Sequence, residues 1–227
     1  MQMMPRPRRA CLALLLAAAA SAQELDLPRP GAVVAAEITG QAFVVVDGQR
    51  KPLKADDRVR VGATVATARR SMLTLQFSNG TSAQLGADSE MEIEEFGQQP
   101  AATGIKFSEL KAEPTLSRLR LKLARGDVAV EVKPLRVARG SGFVLALPAG
   151  ALRTGEGALR ASTMMSDYGL GICTLELSRG AAELELPGAA SQPVPAGTKL
   201  AFALELDKAT GVVKVGPMPE AKAAAKK

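Results

Sequence analysis

Histidine and tryptophan are absent from this 227-residue chain, tyrosine occurs once, as Tyr168, and cysteine twice. Each absence removes a class of function. Without an imidazole there is no base for a serine or cysteine nucleophile of the usual kind, and no His-bearing zinc or copper site. Cys11 falls in the N-terminal segment, which leaves Cys173 as the sole cysteine of the body. One thiol makes no internal disulfide, thiolate zinc site or iron–sulfur cluster. Cys173 lies in the apolar run Gly171-Ile172-Cys173-Thr174-Leu175, which reads as a small buried hydrophobe rather than a reactive thiol. With one Tyr and six Phe, the chain has almost no flat platforms for stacking sugars or unpaired bases. No GxxxxGK[ST] phosphate loop is present, and Gly140-Ser141-Gly142 and Gly155-Glu156-Gly157 are too short for a dinucleotide fingerprint. Those glycines read as turns. Cofactors are therefore not expected.

The N-terminus has the form of an export signal. Arg6, Arg8 and Arg9 precede the apolar run Cys11 to Ala20, and Ala20-Ser21-Ala22 sets small residues at the offsets signal peptidase needs. Residues 1–22 are expected to be removed between Ala22 and Gln23, placing the mature chain in the periplasm of a Gram-negative type envelope or outside it. The run is shorter than the roughly 20 residues that span a bilayer, so no transmembrane anchor is expected after cleavage. Removing those three arginines from 29 basic residues leaves 26 against 23 acidic ones, so the formal charge falls from +6 to +3. Lys222, Lys226 and Lys227 carry part of the remainder. A near-neutral body gives no electrostatic reason to bind nucleic acid. The tail lysines are where weak contact with an anionic surface is expected.

What remains is strand-like. Leu73, Leu75 and Phe77 alternate with Thr74, Gln76 and Ser78 before the turn at Asn79-Gly80, and Met91, Ile93 and Glu95 alternate with Glu92 and Glu94. Asp47-Gly48 is a hairpin-turn dipeptide after Phe43-Val44-Val45-Val46. Leu119, Leu121 and Leu123 alternate with Arg118, Arg120 and Lys122, and after Gly126-Asp127 the period resumes as Val128, Val130 and Val132. That pattern predicts a half-buried antiparallel hairpin. Further strands are expected at 143–147, 174–177, 182–186 and 200–206, with Gly180, Gly188 and Gly197 between them. No segment has a helical stripe. The fold class is all-β, with short antiparallel strands forming an elongated sandwich or an irregular β-solenoid. The expected organisation is a signal peptide over 1–22, an extended leader over 23–31, a β domain over 32–215, and a flexible basic tail over 216–227. Gly97 to Ser117 has no period, carries Pro100 and Pro114, and reads as a long loop inside the domain.

Two groups of residues are candidates for chemistry. Asp56-Asp57 and the cluster Glu90, Glu92, Glu94 and Glu95 could supply a carboxylate pair or calcium ligands. The alternating placement of Glu92 and Glu94 instead suggests a solvated strand face. Arg118, Arg120 and Lys122 could form a cationic stripe, or simply the polar side of a strand.

The block Leu53, Asp57, Gly62, Val65, Thr67, Ser71, Leu75, Phe77, Asn79 and Gly80, with Leu123, Gly126, Val130 and Val132 and the extended Phe143 to Pro148, resembles FecR-type extracytoplasmic proteins in stand-alone secreted form. The resemblance covers about residues 38–161. It implies a FecR-like β domain that works by protein contact. Two departures stand out: Gly155-Glu156-Gly157 replaces the family's Gly-Thr step, and a signal segment stands where membrane-bound regulators have a sigma-factor-binding region and a helix. The chain is therefore not expected to contact a sigma factor by itself. The expected function is a non-enzymatic exported module that engages another envelope protein through its β surface, edge-strand addition being one mode. The competing expectation is a structural component of the envelope or of a secreted assembly. A hydrolase using Asp57, Glu92 and Glu94 is the third.

Overall fold

The alternating pattern becomes sixteen strands in the computed structural model, which describes residues 29–46, 48–100 and 106–217. In chain order they are β1 (Arg29–Pro30), β2 (Val33–Thr39), β3 (Ala42–Val46), β4 (Gln49–Leu53), β5 (Arg58–Val59), β6 (Thr64–Thr67), β7 (Met72–Phe77) and β8 (Ser82–Leu85). They continue as β9 (Glu90–Gln98), β10 (Ser117–Val132), β11 (Gly142–Leu147), β12 (Gly150–Met165), β13 (Leu170–Glu185), β14 (Gln192–Pro195), β15 (Thr198–Leu206) and β16 (Val213–Pro217). Two short 3₁₀ turns, Phe107–Glu109 and Val137–Arg139, are the only helical elements among the described residues. The signal segment, most of the leader, Asp47, residues 101–105 and the tail lysines lie outside the described residues.

The strands form one mixed sheet that folds back on itself without closing into a barrel. Its long strands β10, β12 and β13 each belong to two layers. The first layer runs β5-β2-β7-β8, then the second halves of β10 and β12, the first half of β13, β15 and β16. The second runs β4-β3-β6-β9, then the first half of β10, β11, the first half of β12, the second half of β13 and β14, with β1 also on β9. Only β10 and β11 pair in parallel among the described strands, so this is a bent sandwich and not a solenoid of stacked parallel coils.

The inward phase of each long strand slips where it changes layer. In β10 the buried residues are Leu119, Leu121 and Leu123, then Val128, Val130 and Val132. In β12 they are Leu152 and Thr154, then Leu159, Ala161 and Thr163. In β13 they are Cys173, Leu175 and Leu177, then Ala182 and Leu184. An extra residue in one strand turns the next side chain to the other face and bends the chain, which is the work of a β-bulge. Both inward sets then feed one core. Phe77 of the first layer meets Phe96 of the second edge to face, with ring centroids 5.5 Å apart, the arrangement the ring quadrupole favours.

Several expectations change here. Gly126-Asp127 does not close a hairpin: β10 runs through it for 16 residues, because Ser89 crowds Gly126 and exchanges bonds with the Asp127 backbone. Ser89 Oγ accepts from Asp127 N at 2.9 Å and donates to Asp127 O at 3.1 Å. Gly155 to Gly157 and Gly180 are likewise inside β12 and β13 rather than in turns. The end of the leader is packed, since β1 pairs with Gly97 and Gln98 and Gly31 donates to Phe96 O at 2.8 Å. Gly216 and Pro217, read as tail, belong to β16. Glu95 is not the next inward residue after Ile93: a bulge opposite Arg120 and Leu121 passes that place to Phe96.

Candidate binding surface

Cross-strand pairing explains both charged candidates at once. β9 and β10 lie side by side, which sets the acidic row against the basic one. Arg120 Nε reaches Glu94 at 2.6 Å, Lys122 Nζ lies 3.5 Å from Glu94 and 3.7 Å from Glu92, and Arg125 lies 3.1 Å from Glu90. Arg118 turns instead to the carbonyl of Gly140, 3.2 Å away. Arg120, Lys122 and Arg125 thus neutralise Glu90, Glu92 and Glu94 on an open face. Such exposed pairs contribute little stability each, about 0–1 kcal/mol. Asp57 builds a turn, its Oδ2 accepting from Lys54 N at 2.8 Å, while Asp56 stands exposed with φ +67°. Among the described residues no group of three or more acidic, Cys or His side chains is placed to hold a metal ion.

The segment read as a loop after Gly97 is held at its far end by buried polar groups. Glu113 is buried, and its carboxylate accepts from Ser117 Oγ at 3.0 Å and from Arg136 N at 2.5 Å. Ser117 Oγ accepts in turn from Asn79 Nδ2 at 3.1 Å, and Ser117 N donates to Ser141 Oγ at 3.1 Å. Ser78 Oγ donates to Gln98 Oε1 in the same cluster. Asn79 of the turn signature therefore acts as an anchor as well as a turn residue. Buried polar groups satisfied in this way fix one arrangement of the chain.

Cys173 is fully buried beneath the first layer, its Sγ 3.6 Å from Thr163 Oγ1, and burial pushes its thiol pKa up. On the outer face of that layer, Glu131 takes hydrogen bonds from Lys133 at 2.9 Å and Arg179 at 3.1 Å, which hold its carboxyl below the ordinary value.

Among the described residues the terminal strands of the sheet are guarded. β4 carries Arg50, Lys51 and Pro52, β14 carries Pro193 and Pro195, β1 is Arg29-Pro30, β5 is two residues long, and β16 carries Lys214 and Pro217. Proline offers no N–H, and charge and brevity oppose an added strand. Edge addition is the mode this geometry serves least.

A mostly apolar concave surface lies on the outer face of the second layer. Register sets Val144, Arg153, Glu183 and Pro193 in one outward row across β11, β12, β13 and β14. Val137, from the 3₁₀ turn between β10 and β11, overhangs that row. It can do so because residue 155 is glycine, where any Cβ would overlap the Val137 methyl. The result is a cleft of about 540 Å³ with Val137, Val144, Ala181 and Pro193 as apolar walls and Ser141, Arg153 and Glu183 as polar ones. Arg153 is also paired with Glu185 at 3.2 Å. Few convergent polar groups in a mostly apolar hollow is the usual make-up of a recognition site. Sequence reading did not single these residues out, since they come from four separate strands and a turn.

Among the described residues no helix is long and apolar enough to cross a membrane. No protein-family model matches the chain, and no curated protein matches it. Two crystal structures of a protein described as a "putative anti-sigma factor" from Parabacteroides distasonis ATCC 8503 are similar to it, each at 10% identity with a TM-score of 0.43. The match covers 68% of this chain and 59% of that one, so the chain spans less than two thirds of the protein it resembles.

Proposed function

We propose that this chain is an exported, non-enzymatic, FecR-like binding module that engages another protein of the cell envelope through the outer β surface of its second layer. The observation that carries the reading is the cleft beneath Val137, a concave apolar site on a sheet whose terminal strands are guarded against strand addition. A face of this kind suits an apolar side chain or short apolar segment of a partner, oriented by Arg153 and Glu183. The non-enzymatic part draws on the missing histidine and on the ion pairing of Glu90, Glu92 and Glu94. Export draws on the signal-like segment ending at Ala22.

Mild crosslinking in the native envelope tests it. Wild-type protein is expected to yield one reproducible protein adduct, which Val144→Asp loses while its circular dichroism stays unchanged. Absence of a reproducible adduct, or an undiminished yield from the variant, would count against the reading.

A further inference from the structure

The end of the first layer formed by β12, β13, β15 and β16 carries an apolar band open to solvent. Register places Met164, Ile172, Ala203 and Gly216 in one outward row across these four strands. Leu170 lies in the next outward row, and the chain's single tyrosine caps the β12–β13 turn. Tyr168 is 86% exposed, Met164 65%, Leu170 60% and Ile172 37%. Taking large side chains at about 150–250 Å² each, these four expose roughly 500 Å². That is the size at which a patch on a lone chain usually marks a contact site.

We propose that a second copy of this chain covers the band, giving a two-fold dimer through the outer faces of the first layers. The row is large at one end, with Met164 and Ile172, and small at the other, with Ala203 and Gly216. A two-fold axis parallel to the strands, between β13 and β15, inverts the row. It sets Met164 over Gly216 of the second copy and Ile172 over its Ala203, and the reverse, as an isologous interface requires. Gly216 has room to receive a side chain, since nothing lies within 4 Å of where its Cβ would stand. The same rotation brings Glu176, paired with Lys199 at 3.1 Å within one copy, over Lys199 of the other. Two such bands bury about 1,000 Å², the size at which a specific interface begins. An anionic bilayer fits the band less well, because Asp167, Glu205 and Asp207 outnumber Lys208 and Lys214 around it. A strand added to β16 meets Lys214 and Pro217.

Sedimentation velocity of the mature chain from about 1 to 200 μM, spanning micromolar affinities, tests the proposal. The expected result is a concentration-dependent dimer whose dissociation constant rises at least tenfold in Ile172→Asp and in Gly216→Leu. Gly216→Leu adds volume in open space, so its thermal unfolding should match wild type and separate loss of contact from loss of fold. Val144→Asp, in the cleft of the other layer, should leave the dimer intact. A monomer throughout the range, or a dimer indifferent to both band variants, overturns the proposal. So does a monomer whose binding to phosphatidylglycerol vesicles is lost in Ile172→Asp.

Discussion

Gly157 and Gly180 face one another across β12 and β13, and neither position has room for a side chain. A Cβ on Gly157 would overlap the carbonyl oxygen of Arg179, and one on Gly180 would overlap that of Glu156 and stand 2.9 Å from the Gly157 Cα. Both have positive φ, +151° and +90°. The two strands bend from one layer into the other at this pair, so the sandwich depends on it. Gly180→Ala should lower stability by at least about 2 kcal/mol, from backbone strain plus overlap. Gly188→Ala, at φ +73° in open space, should cost only about 1 kcal/mol. Urea midpoints compare them, and equal losses would refute the role of the pair.

Glu113 anchors the segment before β10. Glu113→Ala leaves Ser117 Oγ and Arg136 N without their acceptor, which should cost about 1–3 kcal/mol. Glu113→Gln can still accept from Arg136 N and donate to Ser117 Oγ, so its loss should be smaller. Hydrogen exchange should quicken over residues 106–116 in the alanine variant alone.

The rows on β9 and β10 should behave as surface pairs. A double-mutant cycle on Glu94 and Arg120 is expected to give a coupling of about 0.2–1 kcal/mol that fades in high salt. A large, salt-insensitive coupling would mean that the pair sits in a far drier setting than its exposure implies.

Glu131 supplies a pH signature. Its pKa is lowered, first by the hydrogen bond from Lys133 and then by that from Arg179. A lowered carboxyl stabilises the fold above its ordinary value of 4.5, and that contribution is lost as pH falls through the folded value. Glu131→Gln should therefore flatten the decline in stability below about pH 4.5 and leave the slope near pH 7 unchanged.

Cys173 should resist thiol reagents in the folded chain and react at full stoichiometry in denaturant, since burial both hides the sulfur and raises its pKa. Rapid labelling of native protein would contradict the placement.

Local patterns were readable where one strand face is apolar. Leu73, Leu75 and Phe77, and the two valine and leucine rows of β10, are inward as their period predicts. What the pattern could not tell is whether Gly126 or Gly180 ends a strand or bends it. A glycine with positive φ serves a turn and a bulge alike, and the neighbouring strand decides which. The same limit hid the partnership of β9 with β10, which turned two candidate sites into one set of ion pairs. The cleft was invisible for a related reason: Val137, Val144, Ala181 and Pro193 share no local period and meet only once β11 to β14 are laid side by side.

Photo-crosslinking from defined positions in the native envelope tests the binding account most directly. A photoreactive residue in place of Val144 should give an adduct with one envelope protein, while the same residue in place of Lys51, on the guarded edge strand β4, should give none. An adduct from position 51 with none from position 144 would contradict the account and restore edge addition as the mode of contact.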